Sequence, residues 1–236
     1  LREEIMSKDK FFFFFSHDLR SPFGNVLKLS EFLIKNINTL SIEDIHEIAG
    51  DIHESGRTVF NLLENLLQWA KIESGKMIAN PSVIKLHQMA EDIEDLFKKI
   101  AEAKGVELYL DISEDITIFA DNNMLFSAVQ NLVSNAIKFT ERGGKVSLSA
   151  KSSDPRTIIR IKDTGIGMSE EEQGKLFLRA YHFTQTGTAG EQGAGLGLIL
   201  SKELIEKNNG TISVESVKNI GTTFIIDLPG TAPESV

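Results

Sequence analysis

Apolar residues in the first third of the chain recur with the period of a coiled coil. One row of them is spaced seven residues apart, and a second row follows it by three residues. The rows consist of Ile5, Phe12, Leu19, Val26 and Leu33, and of Phe15, Pro22 and Leu29. Such rows are the a and d positions of a helix that packs along one side against another helix. The pattern therefore predicts a long amphipathic helix up to a polar break at residues 36–39.

A second helix with the same period is predicted after this break. Ser41 and Asp44 have the spacing of a capping box. The apolar positions that follow are Ile45, Ile52, Val59 and Leu66, flanked by Ile48, Leu62 and Trp69. We therefore expect an antiparallel helical hairpin, and because one hairpin cannot bury both stripes fully, we expect two chains to pair as a dimeric four-helix bundle. An ordinary helical scaffold shows the same pattern, so these residues alone indicate no function.

The pattern changes at Ser74 and Gly75, which we interpret as a hinge. We predict a helical domain at 1–74, an α/β domain at 75–230 and a tail at 231–236. In the second domain, helices are expected at 86–104, 121–138 and about 195–208, and strands at 106–112, 116–120, 144–151, 156–162, 211–217 and 222–228. Antiparallel strand pairs mixed with helices predict an α+β sandwich that carries its helices on one face.

Composition narrows the classes of function. The formal net charge of −9 over 236 residues disfavours a nucleic-acid partner, and the absence of cysteine excludes disulfides and thiolate chemistry. No apolar run approaches the ~20 residues of a membrane span, so we expect this fragment to make no direct membrane contact. Because the chain opens on Leu1 within a helical pattern, we interpret it as a piece of a longer protein. We expect this piece to be cytoplasmic and the full-length protein to be membrane-anchored.

The first candidate binding segment lies on the helix predicted at 121–138. Asn131, Asn135 and Lys138 are four and three residues apart, so they share one helix face. An amide oxygen suits Mg²⁺, which usually keeps water and phosphate oxygens as its other ligands, and a nearby lysine can meet phosphate charge. A solvated polar face would look the same, so this segment alone leaves both interpretations open.

Two glycine-rich segments follow. Asp163 precedes Gly165 and Gly167 directly after a predicted strand, where a carboxylate can accept a hydrogen bond from the adenine amino group; guanine carries an oxygen at that edge. Three further glycines, Gly193, Gly195 and Gly197, run into a helix, whose free N–H groups can bind phosphate oxygens. Each segment alone is weak evidence. The second is neither a Walker loop, because no Gly-Lys-Ser/Thr follows, nor a Rossmann loop, because no strand leads directly into it.

Together, the order and spacing of the three segments resemble the Bergerat-type ATP-binding domain. This domain is shared by sensor histidine kinases, Hsp90-type chaperones, type II topoisomerases and mismatch-repair ATPases. Residues 131–138 match its N box, 163–167 its G1 box and 193–197 its G2 box, and 184–193 look like its mobile lid. The resemblance implies ATP and Mg²⁺ as cofactors, with Asn135 as the metal ligand. It also adds Thr188, Leu196 and Thr222 to the nucleotide-binding residues.

Asn131 separates the branches of this group. The chaperone and topoisomerase ATPases carry a glutamate here as the general base for water attack, and an amide cannot take a proton. Some other group must therefore supply the nucleophile. The resemblance to histidine kinases includes residues 16–22, which match their H box and place that nucleophile at His17.

The heptad pattern places His17 at position f, pointing away from the seam. With an unperturbed pKa of about 6.5, an imidazole is largely neutral and nucleophilic at pH 7. Asp18 can orient the ring and accept its other proton. Ser21 lies one turn further on, where the family often carries Thr or Asn to position a water for dephosphorylation, so a phosphatase activity stays open. Phe13 and Phe14 lie outside the seam and form either extra core or an apolar docking patch for the ATP domain.

The resemblance implies a homodimeric protein histidine kinase. ATP would phosphorylate His17, and the phosphoryl group would pass to an aspartate of a response-regulator receiver domain, on a separate protein or a missing part of a hybrid chain. Two alternatives remain at this point. One is an ATP-hydrolysing clamp of the chaperone type, and the other is a non-enzymatic dimerisation scaffold with a degenerate nucleotide site.

Overall fold

The computed structural model describes the backbone of residues 2–178, 186–191 and 197–231, and the side chains of these residues from Asp18 onward. The chain divides into two compact units, residues 1–74 and 75–236. Within the described part of the chain, no helix combines the length and the apolarity that crossing a membrane requires.

The first unit is a helical hairpin of α1 (Arg2–Asn36) and α2 (Ile42–Glu73). The predicted capping box begins α2: Ser41 Oγ accepts the N–H of Asp44 at 3.1 Å, and the Asp44 carboxylate accepts the N–H of Ser41 at 3.1 Å. Of the predicted seam residues whose side chains are described, Pro22, Leu62 and Trp69 are buried and the others are half-buried, whereas the buried Ile72 was not among the seam residues named. The periodicity therefore placed both helices correctly, and the described seam positions lie on their less exposed sides. The expected four-helix bundle needs a second chain.

The second unit combines a large sheet, a small sheet and several helices. In chain order its elements are β1 (Ser82–Lys85), α3 (Leu86–Lys104), β2 (Glu107–Asp111), β3 (Thr117–Ala120), α4 (Asn122–Phe139), β4 (Lys145–Ser153), β5 (Arg156–Asp163), α5 (Glu170–Lys175), α6 (Gly197–Lys207), β6 (Thr211–Val217) and β7 (Gly221–Pro229). The main sheet has the order β2-β4-β5-β7-β6, and β1 pairs with β3 in a two-stranded sheet.

Alternation along the central strands shows which sheet face is covered. In β5 the buried positions are Thr157, Ile159, Ile161 and Asp163, whereas the residues between them are partly or fully exposed. β7 alternates in the same way. One face of the sheet therefore packs under helices and the other meets solvent, which confirms the predicted α+β arrangement with its helices on one side.

Three details differ from the sequence prediction. β2 and β4 are parallel, a pairing that the prediction of antiparallel strand pairs did not include, because β3 and α4 lie between them in the chain and return it to the same end of the sheet. β1 is only four residues long and was not predicted. α5 was also missed, although Ser169 and Glu172 form a capping box at its start. The predicted helix at 195–208 is described from Gly197 onward, and most of the predicted tail lies outside the described residues.

A candidate nucleotide site at the C-terminal half of α4

Helix α4 presents the first predicted segment. Its N-cap is Asp121, whose carboxylate accepts the N–H of Met124 at 3.0 Å. One face of the helix is buried against the rest of the unit and includes Leu125, Val129, Leu132, Val133 and Ala136. Asn131, Asn135 and Lys138 lie off this face and are all half-buried. The apolar face therefore fixes the rotation of the helix and, with it, the position of these three polar side chains.

Asn131 is held in a defined orientation by α6. Its side-chain N–H₂ donates to Ser201 Oγ at 2.9 Å, and Ser201 is itself almost fully buried. A Cβ added to Gly197 would collide with the amide oxygen of Asn131. A larger residue at position 197 would therefore displace the Asn131 amide from this place, and the N-box asparagine and the last G2-box glycine lie in contact.

Asp163 is a buried carboxylate at the end of β5. Its Oδ1 accepts the N–H of Gly165 at 2.8 Å and the N–H of Thr222 at 3.1 Å. Burial raises the pKa of Asp163 to about 6, and the two N–H donors oppose that rise. Thr222, which the resemblance added to the site, is buried beside this carboxylate. The arrangement leaves a carboxylate that is ionised at pH 7 and only partly satisfied by protein donors.

The turn after Asp163 is anchored on both sides. Ile166 N–H donates to the carbonyl of Phe139 at the end of α4. A Cβ at Gly165 would collide with that same carbonyl. Met168 N–H donates to Ser216 Oγ at 2.8 Å, which joins the turn to β6. The G1-box turn is thus fixed between α4 and the sheet before any ligand is considered.

Thr188 is hydrogen-bonded to the C-terminal end of α4. The Thr188 N–H donates to the carbonyl of Lys138 at 3.1 Å, and its hydroxyl donates to the carbonyl of Thr140 at 2.8 Å. Burial lowers the pKa of the half-buried Lys138, a shift opposed by the negative charge of Glu191 and reinforced by Lys104. The Lys138 ammonium group is thus a partly desolvated positive charge, and it lies next to the turn that contains Thr188.

Asn135 could serve as a protein ligand for a divalent cation only if a bound phosphate compound supplied further oxygen ligands. Among the described residues, no group of three or more His, Cys, Asp or Glu side chains could hold a metal ion. Asn135 is half-buried, and its side chain donates no hydrogen bond to, and accepts none from, the described residues. One neutral oxygen is the sort of protein ligand that Mg²⁺ uses when phosphates supply the remaining ligands.

Some predicted site residues lie outside the description. Gly193, Gly195 and Leu196 lie outside the described residues. For His17, Phe13 and Phe14 the structure describes the backbone and not the side chain. The backbone of residue 17 lies within α1. On the same helix, Asp18 is half-buried and Ser21 is exposed.

The structure adds residues that sequence reasoning missed. Ser201 orients Asn131 from 70 positions away. The side chain of Gln173 pairs with the backbone of Ser216, donating to its carbonyl at 2.9 Å and accepting its N–H at 3.2 Å. Ser201 could have been found from the sequence, because it lies one helical turn after Gly197 on the predicted helix. Nothing in the local sequence connects Gln173 with Ser216.

Comparison with known proteins agrees with this geometry. Residues 120–232 match the family model described as histidine kinase-, DNA gyrase B- and HSP90-like ATPase. The circadian input-output histidine kinase CikA of Synechococcus elongatus is 32% identical over 226 residues, which cover 94% of this chain and 30% of CikA. The Acinetobacter baumannii histidine kinase AdeS shares the fold, with a TM-score of 0.73, 19% identity, and coverage of 92% of this chain and 98% of AdeS.

A third likeness comes from a complex. The histidine kinase ThkA, solved together with the response regulator protein TrrA, has a TM-score of 0.70 and 20% identity, covering 98% of this chain and 64% of ThkA. The chain spans between 27% and 47% of the length of the first three curated relatives that it matches. The family match over the ATPase region and the kinases matched along nearly the whole chain lead to one conclusion: this chain belongs to the sensor histidine kinases of two-component signalling.

Proposed function

We propose that residues 75–230 bind ATP with Mg²⁺ and that His17 accepts the γ-phosphoryl group. The observation that carries this proposal is the contact of Asn131 with Gly197 and Ser201, which joins the N box to the start of α6. An amide in this position binds but does not accept a proton from water. The site is therefore suited to holding ATP for an acceptor on another part of the protein rather than to hydrolysing it.

Asp163 supports recognition of adenine. Its carboxylate accepts two backbone N–H groups through one oxygen, Oδ1, so the other oxygen retains its capacity to accept from an amino group. Guanine would present an oxygen to the carboxylate, and two acceptors facing each other are unfavourable. The specificity for ATP over GTP would then depend on this one residue.

Phosphate recognition is assigned to Lys138 and to the start of α6. The Lys138 ammonium offers a positive charge in a partly desolvated place, and the first N–H groups of a helix lack intrahelical partners. Asn135 would supply the protein oxygen for Mg²⁺, which neutralises phosphate charge when it is bound.

The transfer itself is a displacement at phosphorus. A ring nitrogen of His17 forms a bond to the γ-phosphorus while the bond from that phosphorus to the β,γ-bridging oxygen breaks, and ADP leaves. Asp18 accepts a hydrogen bond from the other ring nitrogen. In the second reaction an aspartate of a receiver domain attacks the phosphohistidine, and His17 is released. Most of the catalysis is positioning and electrostatics.

The exposed apolar side chains of the hairpin support a homodimer. Beside the a/d seam, α1 exposes Phe23 (52%) and Leu27 (51%), and α2 exposes Phe60 (62%) and Leu67 (55%). These residues occupy b and e positions of their heptads, so each helix carries a second stripe next to its packed one. A second hairpin would bury these stripes in a four-helix bundle.

Incubation with γ-³²P-labelled ATP and Mg²⁺ tests the function. We expect acid-labile, alkali-stable label on the wild type, none on His17→Gln, and normal label on His53→Gln, a matched control for an exposed histidine of the same hairpin. Label that persists in His17→Gln would refute the acceptor. Steady ATP turnover without any phosphoprotein would instead favour the chaperone-type clamp.

A further inference from the structure

A buried ammonium group joins three parts of the second unit at the C-terminal end of α4. Lys104 is the last residue of α3, and its side chain is only 11% exposed. Its Nζ donates to the carbonyls of Ile137 and Lys138 at 2.9 and 2.6 Å, and to the Glu191 carboxylate at 2.6 Å. The three protons of the ammonium thus meet three acceptors that come from two distant parts of the sequence.

The two carbonyls belong to the last turn of α4, where that of Ile137 also accepts the N–H of Thr140 and that of Lys138 accepts the N–H of Thr188. A helix C-terminus carries partial negative charge, and a cation placed there is stabilised. An ammonium that loses water pays for desolvation unless its hydrogen bonds are replaced. Lys104 therefore requires all three acceptors, and the position of Glu191 relative to α4 is fixed by that requirement.

Glu191 in turn holds a tight turn at residues 187–191. Its second carboxylate oxygen accepts the N–H of Ala189 at 2.9 Å, and its carbonyl accepts the N–H of Gly187 at 2.8 Å. Burial acts to raise the pKa of Glu191, but the hydrogen bonds from Lys104 and the backbone outweigh it and hold the pKa below its ordinary value. The carboxylate is therefore charged when it meets Lys104.

The same turn packs against Lys138. A Cβ at Gly187 would collide with both the Glu191 carboxylate and Cγ of Lys138, so the three residues are in close contact. The carbonyl of Lys138 also accepts the N–H of Thr188 at 3.1 Å. The Lys138 ammonium lies 4.8 Å from the centre of the Phe139 ring. Both the backbone and the side chain of Lys138 are thus constrained by the turn that Glu191 closes.

We propose that Lys104 and Glu191 form a positioning pair that fixes the turn at 187–191 to the end of α4 and so determines how Lys138 meets the nucleotide phosphates. The pair does not touch the reacting atoms itself. The inference rests on the proposed ATP site, because Lys138 has its phosphate role only there. It extends that site to α3, which carries none of the three motifs.

The test uses Lys104→Gln, Glu191→Gln and the double variant of the whole chain. Hydrogen exchange without nucleotide reports the turn directly, through the amides of residues 187, 188 and 190, which are hydrogen-bonded in the structure. Titrations with Mg·ATP and with adenosine report the phosphate contact separately from the base contact. Lys145→Gln, which removes the exposed ion pair with Glu107, is the matched control.

We expect faster exchange of the turn in both single variants and an affinity for Mg·ATP reduced on the order of five- to tenfold. Affinity for adenosine should stay within about twofold, because a phosphate-positioning defect leaves the base contact intact. The double variant should resemble the single ones, since the pair acts as a unit. A merely structural role would weaken ATP and adenosine alike.

The outcomes separate the two proposals. Wild type that binds ATP, with variants whose affinity and exchange are unchanged, overturns the positioning pair alone. Equal loss of ATP and adenosine binding overturns it as well. Wild type that does not bind ATP overturns the proposed function together with this extension of it. If Lys104→Gln fails to fold, Glu191→Gln decides the question, because the Glu191 side chain is 35% exposed and its neutral replacement is isosteric.

Discussion

The amide N–H₂ of Asn131 donates a hydrogen bond to Ser201 Oγ at 2.9 Å across the interface between α4 and α6. An amide has two chemically different ends, and Ser201 Oγ acts as an acceptor towards Asn131 because its own proton is donated to the carbonyl of Ala128 at 3.4 Å. In this case the nitrogen is engaged, and the oxygen lies against Gly197. A residue outside every motif thereby determines the orientation of the N-box asparagine.

Replacing Ser201 with alanine should weaken nucleotide binding. We expect an affinity for Mg·ATP about three- to tenfold lower, which corresponds to the ~1 kcal/mol net worth of one hydrogen bond. Isothermal titration calorimetry on both proteins measures this. Ser213→Ala on the exposed side of β6 is the control and should bind as the wild type does. Equal affinities for Ser201→Ala and wild type would show that Asn131 needs no partner.

Gly197→Ala should abolish detectable binding of ATP. Its new Cβ would displace the Asn131 amide, although alanine in a helix normally improves stability by up to about 1 kcal/mol. Gly174→Ala in α5 is the matched control, because open space surrounds that position. Nucleotide titration and thermal unfolding of both variants would distinguish loss of the site from loss of the fold. Normal binding by Gly197→Ala would contradict the close approach.

Asp163→Asn should remove the preference for adenine. The amide can present its N–H₂ group to the base, and two donors then face each other, so we expect ATP affinity to fall at least tenfold. Binding of ATP and GTP by the variant, compared by competition with a fluorescent nucleotide, measures the preference. A variant that still strongly prefers ATP would exclude Asp163 from base recognition.

The affinity for ATP should decrease in mild acid. With a pKa of about 6, the Asp163 carboxylate is almost fully ionised at pH 7.5 and mostly protonated at pH 5.5. Loss of the ionised fraction alone predicts about a fourfold decrease over this interval. Titrations at both pH values, with Asp163→Asn as the reference that lacks this group, isolate the effect. An equal pH dependence in the two proteins would assign it to other groups.

The same pKa predicts the opposite trend for the stability of the nucleotide-free protein. The folded pKa lies above the unfolded value, so the contribution of Asp163 is fully present below pH 3.8 and is lost as the pH rises through 6. The integrated difference is about 3 kcal/mol, taken at ~1.4 kcal/mol per unit. Between pH 5 and 8 about 1.4 kcal/mol of this difference remains, so in urea unfolding the stability of the wild type relative to Asp163→Asn should fall by about that amount as the pH rises.

Dimerisation should depend on the exposed stripes of the hairpin. Leu27→Glu combined with Phe60→Glu introduces charge into the surface that a second hairpin would cover. We expect a monomer by light scattering coupled to size exclusion. Lys28→Glu is the control, because Lys28 is an exposed polar neighbour on the same helix, and it should remain dimeric. A dimer that survives both apolar substitutions would place the interface elsewhere.

Most of the fold was predictable because its elements have strong periods. The helix predicted at 86–104 matches α3, and Gly105 in the left-handed conformation ends it as its sequence position suggests. The parallel pairing of β2 with β4 was not predictable from local patterns, because it depends on where the chain returns after α4. Short elements such as β1 carry too few residues for a period to be recognised.

The candidate site was predictable only in part, for a related reason. Glycines and a carboxylate in fixed order leave a local trace, so Asp163, Gly165 and Gly197 could be selected from the sequence. Lys104 lies 34 residues from Lys138 and 87 from Glu191, and an ordinary lysine at the end of a helix gives no sign of such partners. Residues that position other residues can be identified only from the distances in a structure.

The sparse interior of the hairpin has a thermodynamic consequence. Its described side chains include few that are fully buried, among them Leu62, Trp69 and Ile72, whereas the second unit has an extensive core of its own. Whatever covers the exposed stripes must then supply much of the free energy that keeps the hairpin folded. The melting temperature of the hairpin should rise with protein concentration while that of the second unit stays constant, so dilution alone would disorder the helix that carries the proposed acceptor His17 and leave the proposed ATP site intact.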